Sequence, residues 1–236
     1  MRGVPTGAPV SRASRPAPRS HPDDLPIPVI TEISPSGRRE GRFDVVVNGN
    51  RTAVLSADGV QRLAIHTGDA WTESLAGLVA AEAQSLRVYD RALAMLAVRA
   101  RSARELRLGL LRKREPEKLV DDAVARLLAS GALDDELFAR GYVRSKLARS
   151  GFSTRRLQAE LARRGVARGI ADRAIREVQE DEAIDPAVVL QELVARKLRT
   201  LTKVDAPTRK RRLHGYLARR GYGSHEIRIA LELVKE

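Results

Sequence analysis

The sequence of 236 residues contains no cysteine. Disulfide bonds, thiolate metal sites and a cysteine nucleophile are therefore excluded, and a reducing compartment is expected. Long apolar runs are also missing, because Arg, Asp or Gly interrupts them well before the roughly 18 residues that suggest a membrane span. These absences predict a soluble, cytoplasmic protein that has no membrane partner.

Residues and motifs that usually bind bases, metals or nucleotides are scarce as well. Aromatic residues make up 3% of the chain, which argues against platforms that stack on nucleic-acid bases. The four histidines show no metal-ligand spacing, and neither of the two common glycine-rich phosphate-loop motifs occurs. We therefore expect no metal, no cofactor and no hydrolysis of nucleotides.

Two acidic clusters, Asp121-Asp122 and Asp134-Asp135-Glu136, raise the alternative of a metal-dependent nuclease. The second cluster lies where a helix is predicted to begin, and acids at that position cap free backbone amides. No histidine and no further acid completes a catalytic set near either cluster. We predict that the chain is not an enzyme.

Charge is abundant and unevenly distributed. Lys and Arg total 43 against 30 acids, and residues 1–84 are neutral, so the whole excess of +13 belongs to residues 85–236. A localised positive excess favours a polyanionic partner, because neutralising phosphates releases condensed counterions. We expect contacts with the backbone of single- or double-stranded DNA.

The composition and the hydrophobic pattern of the chain change twice along its length. Residues 1–25 are rich in Pro and Arg and lack hydrophobic periodicity, which predicts disorder. Residues 26–84 contain alternating β-branched segments and an Asn48-Gly49-Asn50 turn, which predict a small α+β module with a hairpin. Beyond that module the apolar residues recur at helical spacing.

Capping and stop signals divide the remaining chain into nine helices of about 10 to 16 residues. The helices repeat in threes: an offset of 51 aligns Leu106 with Leu157, and an offset of 56 aligns Leu157 with Leu213. The predicted fold is mainly α, with three tandem three-helix repeats that form an elongated, curved body after the α+β module. The repeats are expected at residues 85–133, 134–182 and 183–236.

The arginines on the second helix of each repeat fall on one face, roughly 100 to 120 degrees from the buried leucine. This basic stripe is the main candidate for contacting a partner or DNA, and it comprises Arg112, Arg156, Arg163, Arg212 and Arg219. A secondary set of cations consists of Arg155, Arg164, Arg209, Lys210, Arg211 and Arg220. The alternative is a solvated face whose arginines only stabilise helix dipoles. Recurrence in two repeats favours a functional contact.

The helical part carries a series of motifs in a fixed order. They are Tyr89, Ala92-Leu93, Leu96, Arg99, Arg101-Ser102, Glu105-Leu106, Leu133-Asp134, Phe138-Ala139, Tyr142 and Gly151-Phe152-Ser153, followed by two Leu-x-Arg-Arg-Gly strings. This order and spacing resemble the RecX family, the bacterial regulators of the RecA recombinase. The resemblance covers residues from about 86 to 236.

The resemblance implies a non-enzymatic protein that lies in the groove of the RecA filament or caps its growing end. We expect the protein to be a monomer. The resemblance also implies inhibition of filament growth, ATPase and coprotease activity and strand exchange, although stimulation stays open for an individual member. The competing interpretation is a general basic DNA-binding or architectural protein that acts independently of RecA.

Overall fold

The computed structural model describes residues 27–37 and 40–232. Contacts divide the chain into two compact units, Met1–Ala80 and Ala81–Glu236. The predicted Pro/Arg-rich lead, residues 1–25, lies outside the described residues. No helix in the described ranges is both long enough and apolar enough to cross a membrane.

The first unit contains an antiparallel sheet of three strands and one short helix. Its elements are β1 (Ile30–Pro35), β2 (Arg42–Val47), β3 (Asn50–Ser56) and α1 (Ala57–Leu63), and the strand order is β1-β2-β3. Asn48 and Gly49 join β2 to β3 with φ angles of 47° and 78°, the left-handed backbone that a two-residue hairpin turn requires. Ile30, Val45 and Leu55 are fully buried. The predicted small α+β module is confirmed.

Nine further helices follow in the described part of the chain. They are α2 (Glu73–Val98), α3 (Ala103–Arg112), α4 (Glu117–Ala129), α5 (Asp135–Ser150), α6 (Thr154–Arg163), α7 (Arg168–Asp181), α8 (Pro186–Leu198), α9 (Ala206–Ala218) and α10 (Ser224–Glu232). Helix α2 has 26 residues, more than the predicted 10 to 16, because no proline or capping motif interrupts it. The predicted boundary after residue 84 falls inside this helix.

Side-chain caps fix where most of these helices begin. The Ser102 hydroxyl accepts a hydrogen bond from the backbone N–H of Glu105 at 3.1 Å, as the capping motif predicts. Side chains also cap α5, α6, α8 and α9, and these caps are Asp134, Ser153, Asp185 and Asp205, respectively. Short polar residues at these positions satisfy amides that have no partner within the helix.

Each successive group of three helices encloses its own apolar core. We name the groups repeat 1 (α2 to α4), repeat 2 (α5 to α7) and repeat 3 (α8 to α10). Buried residues of the three cores include Val88, Leu106 and Leu127; Leu157, Leu161 and Ile175; and Leu213, Leu217 and Ile227. The leucines that the sequence offsets align are all fully buried. Three tandem three-helix repeats are thus confirmed.

The end of the middle helix in one repeat contacts the start of the middle helix in the preceding repeat. At the start of α3, the Ser102 hydroxyl donates to the carbonyl oxygen of Arg164, just beyond α6, at 2.5 Å. At the start of α6, the backbone N–H of Ser153 donates to the carbonyl oxygen of Arg220, just beyond α9, at 3.1 Å. We call this recurring contact the inter-repeat clasp.

The glycine of each Leu-x-Arg-Arg-Gly string allows the clasp to close. Gly165 and Gly221 have φ angles of 82° and 86°, a left-handed conformation that favours glycine. A Cβ atom on Gly165 would lie 2.5 Å from the Cβ of Arg104, and one on Gly221 would lie 2.5 Å from the Cβ of Arg156. These glycines are needed both for their backbone conformation and for the close approach of two repeats.

Candidate partner-binding surface

The arginines predicted on α6 divide into exposed and partly buried side chains. Arg155 and Arg163 are exposed, whereas Arg156 and Arg164 are partly buried. In repeat 1, Arg112 is exposed at the last position of α3. The stripe of repeat 2 is therefore not a uniformly solvated surface.

Glu160 lies at the centre of the α6 arginines and pairs with three of them. Its carboxylate lies 2.8 Å from Nη2 of Arg156 and 3.0 Å from Nη1 of Arg164, and it also pairs with Arg163. The Glu160 side chain is only 12% exposed. Glu160 thus offsets part of the positive charge of this segment and holds three neighbouring arginine side chains.

The electrostatics of Glu160 follow from this arrangement. Burial alone would raise the pKa of its carboxyl group, but the hydrogen bond from Arg164 and the charges of Arg163 and Arg156 outweigh burial. The resulting pKa lies below the ordinary value of 4.5. Glu160 therefore stays ionised at neutral pH and holds the arginines in place.

Aromatic rings also engage two of these arginines. The guanidinium of Arg164 lies 4.4 Å from the ring centre of Tyr142, and that of Arg156 lies 5.3 Å from the ring centre of Phe152. Such cation–π contacts add to the ion pairs at partly buried sites. Arg156 and Arg164 stabilise repeat 2 and its clasps, and their guanidinium groups are already engaged within the protein.

Helix α9 presents a different environment. Residues 206–223 contain six Lys or Arg and no acid. The exposed cations of this segment are Lys210, Arg211, Arg212 and Arg219, while Arg209 and Arg220 are partly buried. Among the described residues, Lys210, Arg212 and Arg219 form no ion pair. The charges of these three side chains are consequently not compensated by an ion pair within the described residues.

Two further cations of this segment, Arg220 beyond the end of α9 and Arg211 within the helix, interact with other groups of the protein. Arg220 donates from Nε to the carbonyl oxygen of Ser150 at 2.8 Å, and its guanidinium lies 3.8 Å from the ring centre of Tyr216. The pKa of Asp205 is lowered, first by hydrogen bonds from Thr208 and then by the charge of Arg211. Arg220 supports the clasp, and Arg211 interacts weakly with the cap of its own helix.

One aligned position accounts for the difference between α6 and α9. The offset of 56 places Tyr216 in repeat 3 at the position of Glu160 in repeat 2. Arg212 and Arg219 align with Arg156 and Arg163, but they have no equivalent carboxylate between them. Sequence reasoning followed the arginines and overlooked this acid, although its spacing of four and three residues from two arginines was a visible signal.

The acidic clusters considered for catalysis have structural partners. Asp121 pairs with Arg107 at 2.6 Å, and Asp134 accepts hydrogen bonds from the backbone at the start of α5. Asp135 accepts a hydrogen bond from the backbone N–H of Ala103 at 2.8 Å. Within residues 27–37 and 40–232, no group of three His, Asp or Glu residues could hold a metal ion.

Sequence comparisons give the same division into repeats. The RecX second three-helix domain matches residues 134–175, and the RecX third three-helix domain matches residues 188–231. The regulatory protein RecX of Amycolatopsis mediterranei is 40% identical over 142 residues, which are 60% of this chain and 78% of the relative. The regulatory protein RecX of Streptomyces coelicolor is 32% identical over 136 residues, 58% of this chain and 69% of the relative.

Solved structures share the fold. A crystal structure of regulatory protein RecX aligns with a TM-score of 0.72 at 18% identity, covering 87% of this chain and 99% of that one. The crystal structure of RecX from Lactobacillus salivarius aligns with a TM-score of 0.53 at 17% identity, covering 64% of this chain and 96% of that one.

The α+β module and the three clasped repeats define a helical-repeat protein that carries exposed, unpaired cations on α9 among its described residues. This architecture and the similarity to curated relatives agree on one assignment. The chain belongs to the RecX family of regulatory proteins.

Proposed function

We propose that this protein is a non-enzymatic regulator of homologous recombination and DNA repair that binds the RecA nucleoprotein filament, in its groove or at its end. It acts in the cytoplasm as a monomer and inhibits filament growth, the RecA ATPase and strand exchange. Membership of the RecX family is the observation that carries this proposal.

The unpaired cations of α9 support a role for DNA in this binding. Lys210, Arg212 and Arg219 are exposed on a segment that contains no acid, so phosphates would meet uncompensated positive charge. The same observation supports the second candidate, a general DNA-binding protein for which RecA is irrelevant. The two candidates differ in how much protein is needed to act.

A RecA ATPase assay on single-stranded DNA, run with DNA in excess, separates the two candidates. A filament regulator inhibits at amounts well below those of RecA, because each bound copy blocks growth of a whole filament. A DNA competitor must first cover the excess DNA. Inhibition that appears only at saturating amounts would contradict the proposed function.

Charge variants test whether α9 provides the DNA contacts. We expect Arg212→Gln combined with Arg219→Gln to weaken binding to single-stranded DNA and to lower the slope of log affinity against log salt by about one unit per lost phosphate contact. The matched control combines Arg149→Gln on α5 with Arg176→Gln on α7, two exposed arginines that form no ion pair among the described residues, and it removes the same charge away from the stripe. Equal losses in both variants would assign the effect to net charge alone.

A further inference from the structure

A groove of about 520 Å³ opens between repeat 1 and repeat 2, separate from the cations of α9. Its apolar lining comes from both repeats and includes Leu96 on α2 and Leu133, Leu137 and Phe138 near the start of α5. Leu137 remains 64% exposed, although the neighbouring Leu133 and Phe138 are buried. An exposed leucine over an apolar floor indicates a surface that gains free energy when it is covered.

Arg101 lines the same groove and is incompletely partnered. Its Nε donates to the carbonyl oxygen of Met95 at 3.1 Å, and no other hydrogen bond or ion pair involves this side chain among the described residues. Burial, followed by the nearby charge of Arg99, lowers the pKa of Arg101, and the charge of Glu105 opposes these effects only in part. Because an arginine does not lose its proton in proteins, this environment makes an incoming carboxylate favourable.

The carboxylates already in the groove are engaged elsewhere. Glu105 lies 2.8 Å from Nη1 of Arg99 and 3.5 Å from Nε of Arg164. Asp134 is occupied by the amides at the start of α5. Among the cations that line the groove, Arg101 is thus the one that forms no ion pair with a carboxylate of the described residues.

We propose that this groove, named here the Arg101 groove, binds a segment of a protein partner that presents a carboxylate beside a large apolar side chain. The carboxylate would accept hydrogen bonds from the terminal nitrogens of Arg101, and the apolar side chain would cover Leu137 and the half-buried Leu96. A nucleic-acid backbone supplies anions but no apolar group to fill the floor, so a protein segment fits better. The inference rests on the proposed function in one respect: the partner used to test it is RecA.

The test measures the dissociation constants of the full chain for the RecA filament on single-stranded DNA and for the same DNA without RecA. Arg101→Met keeps an apolar stem but removes the donors, and Leu137→Asp places a charge on a residue that is mostly exposed. We expect each variant to bind the filament about tenfold or more weakly, and to bind bare DNA within about twofold of the parent. Thermal unfolding verifies that both variants fold.

Matched controls remove the same groups elsewhere in the second unit. Arg149→Met deletes an exposed arginine on α5, and Val188→Asp places a charge on an exposed valine of α8. Both controls should bind the filament like the parent. If Arg101→Met failed to fold, Leu137→Asp would still decide the outcome, because its side chain contributes little to the core.

The possible results separate the two proposals. A parent chain that does not bind the filament would overturn the proposed function and the groove inference together. A parent that binds, with groove variants that bind equally well, would overturn the groove inference alone. If the groove variants lost filament binding and bare-DNA binding equally, the occupant of the groove would be nucleic acid. If the parent self-associated and the groove variants did not, the occupant would be a second copy of this chain. Either result would overturn the inference.

Discussion

Repeats 2 and 3 share the string Leu-Ala-Arg-Arg-Gly and the same clasp glycine, yet their middle helices have different electrostatic surfaces. In repeat 2, Glu160 binds Arg156, Arg163 and Arg164. In repeat 3 the aligned residue is Tyr216, so the corresponding arginine pair keeps its charge available. The electrostatic role of this arginine motif therefore depends on which residue lies between the two arginines.

The largest expected effect concerns what the two repeats have in common. Leu161 and Leu217 are fully buried at aligned positions. Replacing either with alanine should lower the free energy of unfolding by about 2 to 5 kcal/mol, the usual range for a buried leucine. Equilibrium unfolding in urea measures the change. A loss below about 0.5 kcal/mol for one leucine, typical of a surface site, would show that the repeats are not packed alike.

The clasp glycines should give the next largest effect. At Gly165 and Gly221, an alanine would have to adopt left-handed backbone, and its Cβ would overlap a neighbouring arginine side chain. Gly131 also has left-handed backbone, with a φ of 71°, but open space surrounds it, so Gly131→Ala is the control. The control should cost about 1 to 2 kcal/mol from backbone conformation alone. The clasp variants should exceed that loss by about 1 kcal/mol or more, because the repeats must move apart. Equal losses at all three glycines would refute the steric role of the clasp.

Glu160→Gln tests the feature that distinguishes repeat 2. The loss of three ion-paired partners should cost about 1 to 2 kcal/mol at neutral pH. The pKa of Glu160 is lowered in the folded protein, so its stabilisation is present above the ordinary value of 4.5 and is lost as the pH falls through the folded value. Urea unfolding at a series of pH values should show parent and variant converging in acid. If the difference in unfolding free energy between parent and variant did not depend on pH, ionisation of Glu160 would not be its cause.

The smallest expected effect sharpens the contrast between the two arginine pairs. Arg212→Gln with Arg219→Gln should change the free energy of unfolding by less than about 0.5 kcal/mol, because both side chains are exposed and unpaired among the described residues. Arg156→Gln with Arg163→Gln should cost about 1 kcal/mol, since it removes two partners of the partly buried Glu160. Similar losses in the two double variants would show that Glu160 does not make the two arginine pairs energetically different.

Local signals predicted most of the helical architecture. Ser102, Asp134 and Ser153 cap the helices that their sequence context indicates, since capping depends on residues only two or three positions apart. The length of α2 was not predicted because a change in composition is not a helix stop. The offsets of 51 and 56 correctly aligned the buried leucines of the repeats.

The surfaces were harder to predict than the elements. The clasp joins Ser102 to Arg164 across 62 positions of the sequence, and no local pattern indicates such a pairing. The Arg101 groove likewise requires two repeats to be placed side by side before its lining exists. In contrast, the pairing within α6 could have been predicted, because Glu160 lies four residues after Arg156 and three before Arg163.

The clasp also explains how the series of repeats ends. Ser153, which contacts the next repeat, caps α6 four residues before Leu157, whereas Asp205 caps α9 eight residues before the aligned Leu213. The position equivalent to Ser153 is occupied by Arg209, inside an additional helical turn. An open-ended contact of this kind would otherwise extend into a fibre of successive units. The backbone N–H of Arg209, which corresponds to the clasp donor of Ser153, donates instead to the carbonyl oxygen of Asp205 at 2.9 Å within this turn, so this donor is already used inside its own helix.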